Sequence, residues 1–296
     1  MQSILQALAL TPAPSGSETK IREKIQSFLS GAEMQVDAHG SLLVHKAGTG
    51  DGIVVLTAMD TPCLYVTYPE GGFSRFSAVG GLKPSDGMAV QCEKDILGVI
   101  GTDEKGQFLD TGAHTLEIGQ WAVPLPSLYA IDEDKMAGAS IGQYAAMTTV
   151  LSAILQETKQ EAWFVFATKS HIRQLSPSFM QKLSAKKLLS VEVSAANDAP
   201  AEKTVFTSLG SGTTLRVKDE GMLSSPSFLA QLSAVPFKTY KEVSALRGTG
   251  GTVQKAYGGI ESASLGIPVR YKGCPNEMVS LSDIQNTTNI LLHLLQ

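Results

Sequence analysis

Lys135–Leu155, KMAGASIGQYAAMTTVLSAIL, is the segment from which the rest of the chain can be read. Tyr144, Met147, Leu151, Ile154 and Leu155 fall at the spacing of a helix face turned toward a core. Ser140 stands where that helix should begin, with a hydroxyl suited to accept an amide proton of the first turn. A short strand precedes it, so Gly138-Ala139-Ser140 is expected to be a strand-to-helix turn. In open α/β sheets such turns lie at the carboxyl ends of strands, where ligands bind. This one carries no carboxylate.

Working outward, Gln2–Leu10 reads as a short helix stopped by Pro12 and Pro14, and Ser15-Gly16-Ser17-Glu18 has capping-box spacing for a helix with Ile21, Ile25, Phe28 and Leu29 inward. Met34–Val36 and Ser41–Val44 flank a turn as a hairpin. Ile53–Met59, IVVLTAM, is almost wholly apolar, as suits a strand covered on both faces. From Cys63 to Asp132 no helical period is found. Short β-rich runs (64–68, 73–79, 88–92, 96–100) alternate with Gly, Pro and Asp turns, which reads as a small β-barrel. Alternation resumes with strands at 163–168 and 188–193, a short helix near Pro177–Leu183, and a β pair at 204–208 and 213–217. Ser225-Pro226 then caps a helix, and strand 237–243 leads to the loop Gly248-Thr249-Gly250-Gly251-Thr252. Strand 267–271 and a final helix from Ser282 to Leu295 complete the chain.

The 296 residues suffice for one large core with an insertion. A net charge of −4, and no basic run longer than Lys186-Lys187, argue against nucleic acid or membrane as partners. No apolar run approaches the roughly 18 residues of a membrane span, and no signal peptide is read, so a cytoplasmic protein is expected. Cys63, Cys92 and Cys274 form no CxxC pair and are expected to be reduced.

Eight phrases in order carry a resemblance that spans essentially the whole chain. They are Pro14-Ser15-Gly16, Ala58-Met59-Asp60, Val79-Gly80-Gly81, Gly98-Val99-Ile100-Gly101, Asp110-Thr111-Gly112-Ala113, Lys135-Met136-Ala137, Val191-Glu192-Val193 and Asn276-Glu277-Met278-Val279. In them the chain resembles the glutamyl or deblocking aminopeptidases, two-metal exopeptidases that assemble into tetrahedral dodecamers. The resemblance implies an α/β fold: a three-layer core with a mixed, mostly parallel sheet, phosphorylase/hydrolase-like and of zinc-exopeptidase type. It divides the chain into a core of residues 1–62 and 133–296 and an inserted barrel of residues 63–132.

The resemblance also implies where ligands of two divalent metals, such as zinc or cobalt, would sit. A histidine would end the first core strand, where Ala58 stands; Asp60 matches the family's orienting aspartate. Gly138 stands for the metal-bridging aspartate, and Ser170-His171 for a pair of glutamates, one of them the general base. Glu192 replaces an aspartate ligand, and Gly273 the last histidine. Two cations a few ångströms apart need a bridging carboxylate against their repulsion. No cofactor is therefore expected, and the leading reading is a pseudo-peptidase kept for assembly, regulation or peptide capture.

Other readings stay open. His171 and Glu192, with Asp60, can hold a single metal, or His171 is simply a loop histidine. Gly138-Ala139-Ser140-Ile141-Gly142 fits GxSxG, which makes Ser140 an alternative nucleophile with His171 as its base in a rebuilt hydrolase site. The chain can also be a non-catalytic subunit joined to an active paralogue. The Gly-rich loop lacks the residues of a phosphate motif and reads as inherited backbone, while Arg247 beside it is a candidate for meeting an acidic ligand. Self-association through the barrel is expected, as a dimer or a larger assembly.

Overall fold

The computed structural model describes residues 1–200 and 207–296. The apolar run at Ile53–Ala58 is the inner part of the strand Thr49–Ala58, which lies within an eight-stranded sheet. Edge to edge the sheet runs Glu33–Val36, Leu42–Lys46, Gln160–Ala167, Thr49–Ala58, Lys187–Ala195, Glu261–Val269, Thr213–Lys218 and Thr239–Val243. Four neighbouring pairs are parallel and three antiparallel, so the sheet is mixed. Successive side chains point to opposite faces. Val44, Val55, Phe164, Phe166, Leu189 and Val191 pack beneath the long helices. Leu43, Val54, Leu56, Val165 and Leu188 pack instead with Phe179 and Val253 on the other side. Three layers result.

The helix Ile141–Ile154 is central to the helical layer, against Gln2–Ala9, Leu281–Leu294 and the sheet. A single inward face was expected. The helix is instead buried on all sides from Ile141 to Leu151, and Leu155 is exposed. An apolar sequence all round is what such a fully enclosed helix requires. Gly142 is needed there, because a Cβ would meet Val269 Cγ2 at 2.7 Å.

Several local expectations are corrected. Ser140 does not cap with its hydroxyl: it lies in the left-handed region (φ 50°, ψ 28°), whereas a capping side chain needs extended backbone. The Ser15–Glu18 capping box is not formed either. The helix starts at Thr19, Ser15 Oγ donates to Asp60, and Glu18 Oε1 accepts from Gly16 N and Lys169 N. Ser225 Oγ accepts from Ser262 N rather than from its own helix, Pro226–Ser233. The strand expected at 267–271 is Glu261–Val269, and the Gly-rich loop opens the short helix Gly250–Gln254. Near Pro177 the chain forms a 3-10 turn, Ser178–Lys182. Most of the strand expected at 204–208 lies outside the described residues.

Between the sheet strands, Cys63–Glu70, Phe73–Val79, Ala89–Cys92, Leu97–Asp103, Gly106–Asp110 and Trp121–Pro124 close into a six-stranded barrel. Leu64, Val66, Val90, Ile100 and Leu109 fill it as a core separate from the main one. Beyond it a three-stranded sheet joins Leu128–Ala130, Lys135–Gly138 and Glu277–Ser280, with Gly138 opposite Glu277. Among the described residues, no helix is long and apolar enough to cross a membrane. Cys63, Cys92 and Cys274 are free thiols.

At the sheet edge His45 stacks on Trp163 at 4.3 Å, with Glu33 at 2.7 Å and Glu161 at 2.6 Å. Burial disfavours its charged form, but hydrogen bonds to Glu161 and Glu33 outweigh that and raise its pKa above 6.5. A raised histidine pKa gives stability that is complete below the unfolded value and lost as pH rises through the folded one. The melting temperature is expected to fall across that window, and His45→Gln to flatten the fall. Superimposable pH profiles of the two proteins would rule this assignment out.

Candidate functional site

Past the carboxyl ends of the central strands lies a cleft of about 510 Å³ that includes Ala58, Gly80, Ser170, His171, Glu192 and Arg247 in its wall. Asp60, Gly138 and Gly273 do not line it.

Asp60 is fully buried just behind. Its Oδ2 accepts from Ser15 Oγ at 2.6 Å and from the His171 amide at 2.8 Å, while Oδ1 has no hydrogen-bond partner. Ile172 N donates to Ser15 Oγ at 3.3 Å, and Lys169 N to Glu18 Oε1 at 2.8 Å. The loop carrying Ser170 and His171 is thus pinned by three of its own amides. Pinning is needed because Lys169 (φ 59°) and Arg173 (φ 60°) are left-handed without being glycine, at a cost on the order of 1 kcal/mol each. Asp60→Ala should therefore lower unfolding free energy by about 3 kcal/mol, since charged hydrogen bonds are worth about 1.5–3 kcal/mol each. Denaturant unfolding reads this, and a loss under about 1 kcal/mol would show the pin to be unimportant.

The His171 ring fits because residue 80 is glycine: a Cβ there would lie 2.8 Å from His171 Cβ and 3.0 Å from Nδ1. Burial holds the histidine pKa below its ordinary value, Lys272 adds to this, and Asp60 opposes it. Nε2 has no hydrogen-bond partner, and no hydrogen bond joins the ring to Ser140 among the described residues.

Glu192 is buried on the strand Lys187–Ala195, and its Oε1 accepts from Thr249 N at 2.7 Å, from Thr249 Oγ1 and from Gly250 N at 3.4 Å. Burial raises its pKa; the nearby Arg216 charge and the Thr249 bonds pull the other way. Arg216 is only 2% exposed and lies 3.6 Å from Asp219 and 3.9 Å from Glu242. Asp219 in turn accepts from the amides of Gly221, Met222 and Gly248. This buried network fixes the Gly-rich segment beside the cleft.

Glu277 is buried as well. Its Oε2 accepts from Gly142 N at 3.0 Å, at the amino end of the long helix, and Oε1 accepts from Gly273 N at 2.8 Å. Burial raises its pKa against the pull of those amides and of Lys272. A carboxylate there complements the helix dipole.

The donor set does not fit a pair of divalent metals. Among the described residues no three His, Cys, Asp or Glu side chains converge in a way that could hold an ion. Backbone also crowds two positions that the resemblance gives to ligands. A Cβ on residue 138 would lie 2.2 Å from the Ser127 carbonyl oxygen. One on residue 273, where φ is +79°, would lie 2.5 Å from the Gly81 carbonyl oxygen. At the third, Ala58, the carbonyl oxygen accepts from Gln143 Nε2 at 2.6 Å.

The profile of the M42 glutamyl aminopeptidases matches residues 103–290. The chain belongs to the M42 family. A protein of Acetivibrio thermocellus, provisionally named an aminopeptidase, is 29% identical over 94% of this chain and 93% of its own length. The fold is shared with an aminopeptidase of the archaeon Desulfurococcus kamchatkensis, at TM-score 0.91 and 19% identity over 99% of this chain and 93% of that one. It is shared too with the TET1 peptidase of Pyrococcus horikoshii, described as able to assemble into a tetrahedron or a large octahedral shell. That match has TM-score 0.85 and 19% identity over 99% and 98% of the two chains.

Within this M42 chain, His171, Ser170 and Glu192 do share one cleft. Sequence reasoning missed Ser15, Gln143, Arg216 and Glu277. Each is a polar residue that ends up buried. The available signal was slight: Gln143 is the one amide side chain in a helix without charged residues, and Arg216 lies between Leu215 and Val217 in the strand Thr213–Lys218.

Proposed function

We propose that this M42 protein does not carry out two-metal peptide hydrolysis and instead uses the inherited cleft to bind a small ligand without cleaving it. One observation carries the reading: backbone oxygens stand 2.2 Å and 2.5 Å from where side chains would begin at residues 138 and 273. Three nearby carboxylates, Asp60, Glu192 and Glu277, are each engaged by backbone amides, which supports the same view. A cleft of about 510 Å³ suits a ligand the size of a short peptide or a metabolite. The test is release of free amino acids from a panel of short peptides, with and without added zinc or cobalt. None is expected under either condition; chelator-sensitive release would overturn the reading.

Residues 63–132 are taken as a unit inserted between 1–62 and 133–296, a division supported by the barrel's separate core. We assign it the role of joining copies of the chain, because Tyr68, Phe73, Leu97, Val99 and Ile118 leave large apolar side chains exposed on it. Light scattering coupled to size exclusion should give at least a dimer. A monomer at micromolar concentration would contradict this role.

A further inference from the structure

The cleft wall carries Lys83, Arg173, Arg247 and Lys272 against only two carboxylates, Glu192 and Glu220. Glu192 is engaged by Thr249 and Gly250, and Glu220 is an exposed residue. Among the described residues none of the four cations is in an ion pair, and none of their side chains donates a hydrogen bond. What sets them apart is that all four line one cleft, where only two carboxylates share the wall with them. Two further polar groups in the wall point the same way. Ser170 Oγ and His171 Nε2 are buried atoms without hydrogen-bond partners. An unsatisfied buried donor or acceptor costs about 1–3 kcal/mol, which a bound ligand would recover. A site for divalent cations needs surplus negative charge; this cleft has surplus positive charge.

We propose that the cleft binds its ligand through a compact, doubly charged oxyanion, either a phosphate group or a pair of carboxylates, held by Lys83, Arg173, Arg247 and Lys272. The proposal rests on the non-hydrolytic reading above and gives that reading its ligand chemistry. Guanidinium groups present forked donors that match carboxylate and phosphate oxygens, and lysines add point charge at the rim. The Ser170 hydroxyl and neutral His171 are suited to satisfy remaining oxygens. Ala58, Leu175, Ala195, Ala245 and Leu246 in the same wall offer apolar surface to the uncharged part of the ligand.

The experiment is calorimetric titration of the resin-stripped 296-residue chain with inorganic phosphate and, separately, with malonate, at fixed ionic strength. Saturable binding of at least one is expected, and the stronger arm identifies the source of the oxyanion. Arg247→Gln and Lys83→Gln, both at exposed positions, should each weaken it by about tenfold, as loss of one charged hydrogen bond implies. Lys24→Gln, on the helix Thr19–Ser27, should leave it unchanged. Failure of both anions to saturate, or equal binding by all variants, would overturn the proposal. The peptidase assay reads the parent hypothesis separately: hydrolysis would sink that reading whether or not an anion binds.

Discussion

Arg216→Met is expected to cost about 3–5 kcal/mol of unfolding free energy, the range for removing one partner of a buried charge cluster. The guanidinium is almost completely enclosed, with Asp219 at 3.6 Å and Glu242 at 3.9 Å, and it donates to the Val193 carbonyl at 2.8 Å. Methionine fills much of the volume and supplies no charge. Asp219 and Glu192 would then be left buried with only dipoles for company. Since both hold amides of the segment from Gly248 to Gly250, the wall of the cleft should loosen along with the fold. Urea unfolding measures the loss. Faster amide hydrogen exchange at Gly248 and Thr249 would mark its location. A shift below about 1 kcal/mol would mean that the cluster's desolvation cost nearly cancels its attraction.

Gly138→Asp returns a carboxylate to the position that the family resemblance gives to the metal bridge, and it is expected to damage the protein without restoring chemistry. Residue 138 closes the strand Lys135–Gly138, flanked by Leu128 and by Glu277. Its Cβ would stand 2.2 Å from the Ser127 carbonyl oxygen, so the Ser127–Leu128 backbone must move before any carboxylate can be placed. Overpacking of this kind costs about 1–3 kcal/mol, and an added buried charge raises that further. The variant should melt lower and take up no zinc or cobalt. Retained stability with new metal uptake would show that the segment adapts readily, and that the loss of the carboxylate alone had closed the site.

The architecture was legible because it is written in periodicity. The apolar run at Ile53–Met59 announced a strand covered on both faces, and the Gly- and Pro-punctuated β runs after Cys63 announced the barrel. Strands Gly106–Asp110 and Trp121–Pro124 escaped notice, since each is short and lacks alternation of its own. Local capping was read less well. Ser15 and Ser140 have the right side chains, but tertiary partners claimed the first and a left-handed backbone disqualified the second. At the site, the family resemblance pointed to Ser170, His171 and Glu192, which do share one cleft, and to Asp60, Gly138 and Gly273, which do not line it. What lay beyond reach was the satisfaction of buried charge. Nothing in local spacing ties Glu277 to Gly142, which is 135 residues away, or Arg216 to the segment at Gly248 through Asp219.

Elemental analysis of the protein, equilibrated with zinc or cobalt and freed of excess ions, separates an inherited peptidase from a binding protein. Well under one ion per chain is expected, because glycine stands at the two positions that the resemblance gives to the bridge and to one imidazole, with a backbone oxygen where each side chain would begin. A stoichiometry approaching two ions per chain would mean that the cleft assembles a metal pair after all, and the non-hydrolytic reading would have to be abandoned.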